Sequence, residues 1–372
     1  MKKYFVMAAL AVSTLTASAQ SVVPKWINNV KLSGFGIVQY TYNGQENNES
    51  NSFNLRLARL ALDGRAFDDW YWKAQIQFNG NTSTLGSSPK LVDLFIEWQK
   101  YDFLRVKAGQ FKNPFTYENP MHPIDQGFMS YSQVISKFAG FSDRAGAHSS
   151  NGRDIGVQLQ GDFLKNASGR NLIHYQVGVF NGQGINVKDV DQQKNIIGGA
   201  WVMPVEGMRL GAFGWIGSYA RKGTSASEGI TNTTLRRLQQ RRYAFSAEYK
   251  VDAWTFRSEY VHSTGYAFAK AMVNTNDASA KDITLSSNGD KSQGVYALVI
   301  APIIKKKCHA KARYDMYQPS KGAEKQRTQY EIGLDYYFNK NICLTGEYAY
   351  IHDRALADPN YSMIDVELSY RF

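Results

Sequence analysis

Cysteine is scarce in this chain: Cys308 and Cys343 are the only two among 372 residues. They fall on two predicted strands that a third strand separates, roughly 10 Å apart, which is beyond the reach of a disulfide. We therefore predict two unpaired thiols. The sequence also lacks a metal-spaced Cys/His set and a glycine-rich phosphate loop, so no metal site, cofactor or catalytic residue is predicted.

Long apolar runs are also missing. Beyond the first twenty residues the longest uninterrupted apolar stretch is the one that contains Tyr296 to Ile304, well short of the roughly twenty residues that a membrane-spanning helix needs. Aromatic residues nevertheless make up 13% of the chain. Such a composition suits a membrane β-barrel, whose strands are apolar on one face only and whose tyrosines and tryptophans collect at the lipid headgroups. A secreted β-sandwich shares these averages.

The N-terminal residues 1–19 are typical of a secretory signal peptide. Lys2 and Lys3 precede an apolar run from Tyr4 to Val12, and small residues follow at 17–19. The run is too short to span a bilayer as a helix, and the small residues fit cleavage before Gln20. We expect export beyond the inner membrane and a mature chain of residues 20–372 that forms one domain.

Positive charge is in excess. Without Lys2 and Lys3 the chain has 41 basic and 32 acidic residues, a formal charge of +9. The excess favours anionic partners. Nucleic acid is not an expected partner, because the basic residues are spread over many predicted strands and do not cluster in one module.

The last nine residues, 364–372, alternate strictly between apolar and polar side chains. Ile364, Val366 and Leu368 share one face, and Asp365 and Glu367 lie on the other. A strand between lipid and a water-filled lumen has this pattern. Similar stretches recur at 31–42, 52–65, 70–79, 91–99, 103–111, 153–162, 171–181, 195–204, 208–219, 241–251, 253–263, 292–302, 306–317, 327–338, 341–352 and 361–372. The fold class predicted is all-β, a transmembrane antiparallel β-barrel of about 16 strands.

The predicted connections alternate between short turns and long loops, as they do in outer-membrane barrels. Long ones fall at 43–51, 80–90, 112–152, 220–240 and 264–291. The longest, 112–152, is the third outer loop and carries many apolar residues, among them Phe115, Phe128 and Phe138. We predict that it folds into the lumen as a constriction, which would bury these groups; an external flap is the alternative.

Alternation also places cations on the face opposite the apolar series, which in a barrel is the lumen. The residues predicted to line the pore and bind anions are Arg56, Arg59, Lys73, Arg105, Lys107, Lys112, Arg242, Lys307, Lys311 and Arg313. Arg56 and Arg59 differ by an odd number, so both face the lumen only if a bulge lies near Ala58. The acidic candidates are Asp93, Glu97, Glu248, Glu259, Glu331 and Glu347. For any single residue, the alternative is a salt-bridged wall.

Three stretches carry a family resemblance. The run Leu55–Gly64, the run Val106–Phe115 and the run Val179–Gly184 together resemble the phosphate-selective porin O and P family. The resemblance implies an outer-membrane porin of sixteen strands, homotrimers, and passive diffusion of small anions such as phosphate or polyphosphate through a lumen of arginines and lysines. The terminal Phe372 resembles the signal that outer-membrane proteins present to the barrel-assembly machinery.

Several functions stay open. The arginine-rich segment 235–242 fits guidance of anions to the entrance, contact with anionic lipopolysaccharide, or a solvated run. The general alternative is a weakly selective porin. An outer-membrane barrel enzyme is disfavoured, because the six histidines His122, His148, His174, His262, His309 and His352 fall in no nucleophile motif. A secreted binding protein is disfavoured by the C-terminal alternation.

Overall fold

The computed structural model describes residues 24, 26–79, 89–145, 150–225, 230–265, 267–268, 279–280, 285–286 and 291–372. The predicted signal peptide, residues 1–19, lies outside the described residues. In the described part, no helix is long and apolar enough to cross a membrane.

Sixteen long strands make up most of the described chain. They are β1 (Ile27–Asn43), β2 (Ser50–Ala66), β3 (Trp70–Gln77), β4 (Lys90–Tyr101), β5 (Leu104–Lys112), β6 (Arg153–Lys165), β7 (Asn171–Phe180), β8 (Asn195–Val202), β9 (Met208–Ser225), β10 (Ile230–Val251), β11 (Trp254–Thr264), β12 (Lys291–Ile304), β13 (Cys308–Gln318), β14 (Arg327–Asn339), β15 (Ile342–Asp353) and β16 (Asn360–Arg371). The segment between β5 and β6 contains a 3₁₀ turn, Pro123–Asp125, and one short helix, α1 (Gln133–Phe138). Three two-residue strands, Ala267–Phe268, Ser279–Ala280 and Leu285–Ser286, lie between β11 and β12.

The long strands form one closed antiparallel sheet. Each pairs with its neighbours in the sequence, and β1 also pairs with β16, from Phe35 opposite Arg371 to Asn43 opposite Met363. Because the sheet has no free edge, every strand can pair its backbone N–H and C=O groups on both sides, which lipid requires of a spanning sheet. The fold is the predicted sixteen-stranded β-barrel.

The two faces of the barrel differ as the alternation predicts. On β16, Ile364, Val366 and Leu368 are exposed on the outer surface, whereas Asp365 and Glu367 are buried inside. Aromatic side chains stand near both ends of the outer surface. The pair Trp254–Phe256 lies at the end with the short turns, and the pair Tyr314–Tyr330 lies towards the long loops. Such aromatic girdles mark the two lipid headgroup levels of an outer-membrane barrel.

The hairpin of β9 and β10 is much longer than predicted. The sequence indicated a loop over 220–240, but β9 continues to Ser225 and β10 begins at Ile230, with pairing from Ile230 opposite Ser225 to Tyr249 opposite Met208. The prediction of a loop was wrong because the residues in this range are polar and basic and do not show the alternation that indicates a strand. Above the bilayer a strand needs no apolar face, so its hydrogen-bonded ladder can continue where the alternation has stopped.

The two cysteines are unpaired, as predicted. Cys308 begins β13 and Cys343 lies on β15, with β14 between them.

Gly109 on β5 should be intolerant of any side chain. Its φ is +133°, and a Cβ there would lie 2.2 Å from the carbonyl oxygen of Leu94. We expect Gly109→Ala to lower the free energy of unfolding by about 1–3 kcal/mol through overpacking, with backbone strain in addition. The measurement is the urea midpoint of unfolding in detergent. Gly346→Ala on β15 is the matched control, since no atom lies within 4 Å of the added carbon; equal midpoints for the two variants would contradict the prediction.

Candidate functional site

The segment between β5 and β6, residues 113–152, packs against side chains that point inward from the barrel wall; it is called the long loop below. Its Phe115, Phe128, Val134 and Phe138 are all nearly or fully buried. They form one hydrophobic cluster with inward side chains of β9 to β13, which include Phe213, Trp215, Leu238, Ala244, Val261, Tyr296, Leu298 and Tyr317. The aromatic residues of the long loop therefore bury apolar surface against this part of the barrel wall.

Carboxylates of the same wall bind the backbone of the long loop. The Glu259 carboxylate accepts hydrogen bonds from the backbone N–H groups of Tyr117 (2.6 Å) and Glu118 (2.9 Å). Further along, Glu347 accepts from Met129 N–H at 3.0 Å. Asp315 similarly accepts from the N–H of Gln133 at 2.7 Å. Charge-assisted bonds of this kind are roughly twice as strong as neutral ones.

Cations of the wall bind carbonyl groups of the same segment. Arg257 donates to Gln126 O at 2.8 Å, Lys311 to Gly127 O at 2.8 Å, and Arg313 to Ser130 O at 3.0 Å. Each of these cations is also paired with wall carboxylates, as in the bidentate contact of Arg313 with Glu331 at 2.6 and 2.8 Å. Their charges are thereby neutralised within the wall.

Arg242 and Asp143 form a further anchor. The two side chains pair at 2.8 Å and are both completely buried, and Arg242 also donates to Phe138 O at 2.5 Å. The ring of Trp215 lies 4.8 Å from the guanidinium carbon. The anchors on β10, β11, β13 and β15 hold the long loop against one side of the barrel.

On the opposite side, five cations line a cavity of about 230 Å³, called the cationic cleft below. They are Arg59, Lys73, Lys107, Lys112 and Arg153, from β2, β3, β5 and β6. Asp93 is the one carboxylate among the lining residues, and residues 120–123 of the long loop complete the lining. Burial lowers the pKa of His122 to about 4, against the opposing effect of Asp125, so this imidazole is neutral at pH 7. With five cations and one carboxylate, the lining side chains carry a formal charge of +4.

Two of these cations, Lys112 and Arg59, donate to uncharged groups, and two others pair with carboxylates. The ammonium of Lys112 donates to the carbonyls of Asn119 (2.6 Å) and Met121 (3.1 Å). Arg59 donates to the Gln77 side chain at 2.8 Å. Lys107 forms an ion pair with Glu97 at 3.5 Å. Arg153 makes two bonds to Asp93, at 2.7 and 3.1 Å.

The wall of β13 to β16 has the opposite balance. Its buried inward carboxylates are Asp315, Glu331, Asp335, Glu347, Asp365 and Glu367, and its buried cations are Lys311 and Arg313. The lumen is therefore electrostatically asymmetric, with uncancelled positive charge on β2 to β6 and excess negative charge on β13 to β16.

The structure sorts the ten predicted pore residues into groups. Arg59, Lys73, Lys107 and Lys112 come together in the cationic cleft. Two more point inward but are ion-paired: Arg56 with Glu367 at 2.8 Å, and Arg105 with Asp162. The bulge required by Arg56 and Arg59 is present, since β1 and β2 shift register between the pairs Ile37–Leu57 and Val38–Leu55.

The predicted ladder of exposed cations on the thirteenth strand needs correction. Lys307 lies in the exposed turn before β13 and does not line the lumen. Lys311 and Arg313 do point inward, but their side chains are only 2% and 1% exposed because carboxylates and the long loop cover them. Arg242 is covered in the same way. Alternation indicates which face a side chain occupies, but not which partner will bind it.

Sequence reasoning missed Arg153. It directly follows Gly152, whose φ is +70°, at the point where the long loop joins β6. Alternation has no predictive value at such a junction, so only its position next to a loop that closes over the lumen could have indicated a role. The six acidic candidates, in contrast, are all buried on the inner face.

A closed sixteen-stranded barrel with an apolar outer belt and a charged lumen defines the class: the chain is a porin-type β-barrel of the Gram-negative outer membrane. Residues 33–191 match the family described as phosphate-selective porin O and P. This match confirms the resemblance that the sequence motifs indicated, and with the fold it points to a channel rather than an enzyme. A comparison with curated proteins gives no match.

Solved structures share the fold at low sequence identity. An anion-selective porin from Comamonas acidovorans superposes with a TM-score of 0.63 at 12% identity, covering 92% of this chain and 99% of that one. The outer membrane channel DcaP of Acinetobacter baumannii gives 0.60 at 13% identity, with 92% and 97% covered. OmpT of Vibrio cholerae, in a trimer form, gives 0.58 at 14% identity, with 92% and 99% covered.

The Arg242–Asp143 pair should hold the long loop in place. We expect Arg242→Gln to cost about 3–5 kcal/mol of stability, because it leaves the Asp143 charge buried without its cation. Released from the wall, the segment should also make single-channel currents in planar bilayers larger or noisier. Arg241→Gln is the control, since Arg241 directly precedes Arg242 on β10 and is exposed on the outer face. Wild-type conductance and stability for Arg242→Gln would count against the anchor.

Proposed function

We propose that the protein is a pore for passive diffusion of small anions, with phosphate as a candidate solute, and that the cationic cleft is where a passing anion is stabilised. The observation that carries the proposal is the net formal charge of +4 on the side chains that line the cleft. Fixed positive charge lowers the cost of bringing an anion into a narrow and poorly screened passage.

The position of the long loop supports this proposal. Most of its anchors lie on β10, β11, β13 and β15, and on the side of β2 to β6 its residues 120–123 line the cationic cleft. We infer that the long loop constricts the lumen and directs passing solutes along the cationic cleft. Guanidinium groups such as Arg59 suit oxyanions, because their paired N–H donors match two oxygens.

For the pore to conduct, a bound anion must also leave the cleft, and Arg105 offers a second, weaker binding site. It lies two residues from Lys107 on β5, about 7 Å along the strand at 3.3 Å per residue. Its side chain is 24% exposed and already shares its charge with Asp162. An anion could move from the cleft to such a site without being trapped, which multi-site passage requires.

A weakly selective porin is the second candidate, and the wall of β13 to β16 favours it. Glu367 and Asp365 point inward there among few cations, and they would admit cations on that side. The two candidates differ in one measurable quantity, the ratio of anion to cation permeability.

We further propose that the protein assembles as a homotrimer. The support is the trimer form in which the similarly folded OmpT is described. The mass of the detergent complex, measured by light scattering, tests the assembly.

Removal of charge from the cleft should reduce anion preference. In the variant Lys73→Gln/Lys107→Gln, we expect the chloride-to-potassium permeability ratio to fall roughly three- to tenfold, equivalent to about 0.7–1.4 kcal/mol. The ratio comes from the reversal potential in planar bilayers under a potassium chloride gradient. Lys307→Gln, in the exposed turn before β13, removes a lysine outside the lumen and should leave the ratio unchanged. A wild-type channel that prefers potassium would overturn the proposed function.

A further inference from the structure

The cationic cleft has an apolar side as well as a charged one. Phe35, Phe95 and Phe111 line the same cavity as the five cations, together with Pro120 and Met121 of the long loop. Phe95 is half-buried, whereas Phe35 and Phe111 are only 4% and 3% exposed. A passage for fully hydrated inorganic ions has no need of such a surface, because apolar groups offer no partner for the ion's hydration shell.

Aromatic rings contact two of the cations of the cleft, Lys107 and Arg59. The ammonium of Lys107 lies 5.0 Å from the ring centroid of Phe95 and 5.3 Å from that of Phe111. The guanidinium carbon of Arg59 lies 5.8 Å from the ring of Phe35. Ring faces attract cations without carrying a net negative charge. The ring contacts do not themselves neutralise these cations, so positive charge and an apolar surface lie side by side in the cleft.

The cavity is small. Its volume of about 230 Å³ is below the range of roughly 300–1,000 Å³ that is usual for drug-sized ligands. A ligand that uses both sides of the cleft must then be compact, with one charged head group and one small apolar body.

We propose that the cationic cleft binds small organic anions that carry a single aromatic ring or an apolar group of similar size, in preference to inorganic or purely polar anions of equal charge. The head group lies between Lys73 and Lys107, and the apolar body contacts Phe95 and Met121. This inference rests on the proposed function, because the cleft must first be accessible to passing anions.

Two phosphonates with the same head group test the proposal. Phenylphosphonate and methylphosphonate are each titrated against the chloride current of the wild-type protein in planar bilayers, and the concentration for half block is measured. We expect phenylphosphonate to block at about fivefold to tenfold lower concentration, as ring stacking and burial supply the difference. Equal half-block concentrations would overturn the inference and leave the proposed anion pore intact. A channel that neither compound blocks and that shows no anion preference would refute the proposed function itself.

Variants separate ligand recognition from simple support of Lys107. Phe95→Leu should raise the half-block concentration of phenylphosphonate to that of methylphosphonate, since it removes the ring but keeps an apolar side chain. Lys107→Gln should weaken block by both compounds. If Phe95→Leu weakens both equally, the ring acts only by seating Lys107, and the inference is wrong. Phe338→Leu, an exposed ring on the outer face of β14, is the matched control and should change neither value. The wild-type comparison stands even if a cleft variant fails to fold.

Discussion

The pairing of β1 with β16 is the contact on which the rest of the structure depends. In lipid, an unpaired backbone N–H or C=O group costs several kcal/mol, so a spanning sheet must have no edge. The ladder from Phe35–Arg371 to Asn43–Met363 closes the sheet. Closure then separates the side chains of every strand into an outer set that meets lipid and an inner set that meets the lumen. The apolar belt, the aromatic girdles and the charged interior all follow from this separation.

The contacts of the long loop with the wall decide which wall charges are neutralised. Its backbone groups need partners once they are buried, and the wall supplies them through Glu259, Glu347, Arg257, Lys311 and Arg313. Charges used in this way are neutralised and covered. On β2 to β6 the long loop offers carbonyl groups and the wall offers aromatic rings and fewer carboxylates than cations, so the lining of the cleft keeps a net positive formal charge. The electrostatic asymmetry of the lumen is thus a consequence of where the long loop is anchored.

Much of this architecture could be predicted from the sequence, because it depends on local alternation. All sixteen long strands overlap their predicted ranges, and the parity of Arg56 and Arg59 correctly indicated a bulge in β2. Prediction failed where alternation is absent or ambiguous. A loop was predicted over the polar range 220–240, and Lys307 was predicted to lie in a strand. Arg153, at the junction after Gly152, was not predicted as a pore residue.

The sequence by itself determined the class of fold and the face of each strand residue, because a period of two along a strand is a local property that lipid on one side and water on the other enforce. Only the tertiary structure decided which inward cations are neutralised by carboxylates and which line the cleft. Arg59 and Arg313 have the same residue type and the same inward orientation, yet Arg313 is bound by Glu331 and Ser130 whereas Arg59 lines the cleft. Their difference depends on partners distant in sequence, whose positions are set by closure of the barrel and by the fold of the long loop.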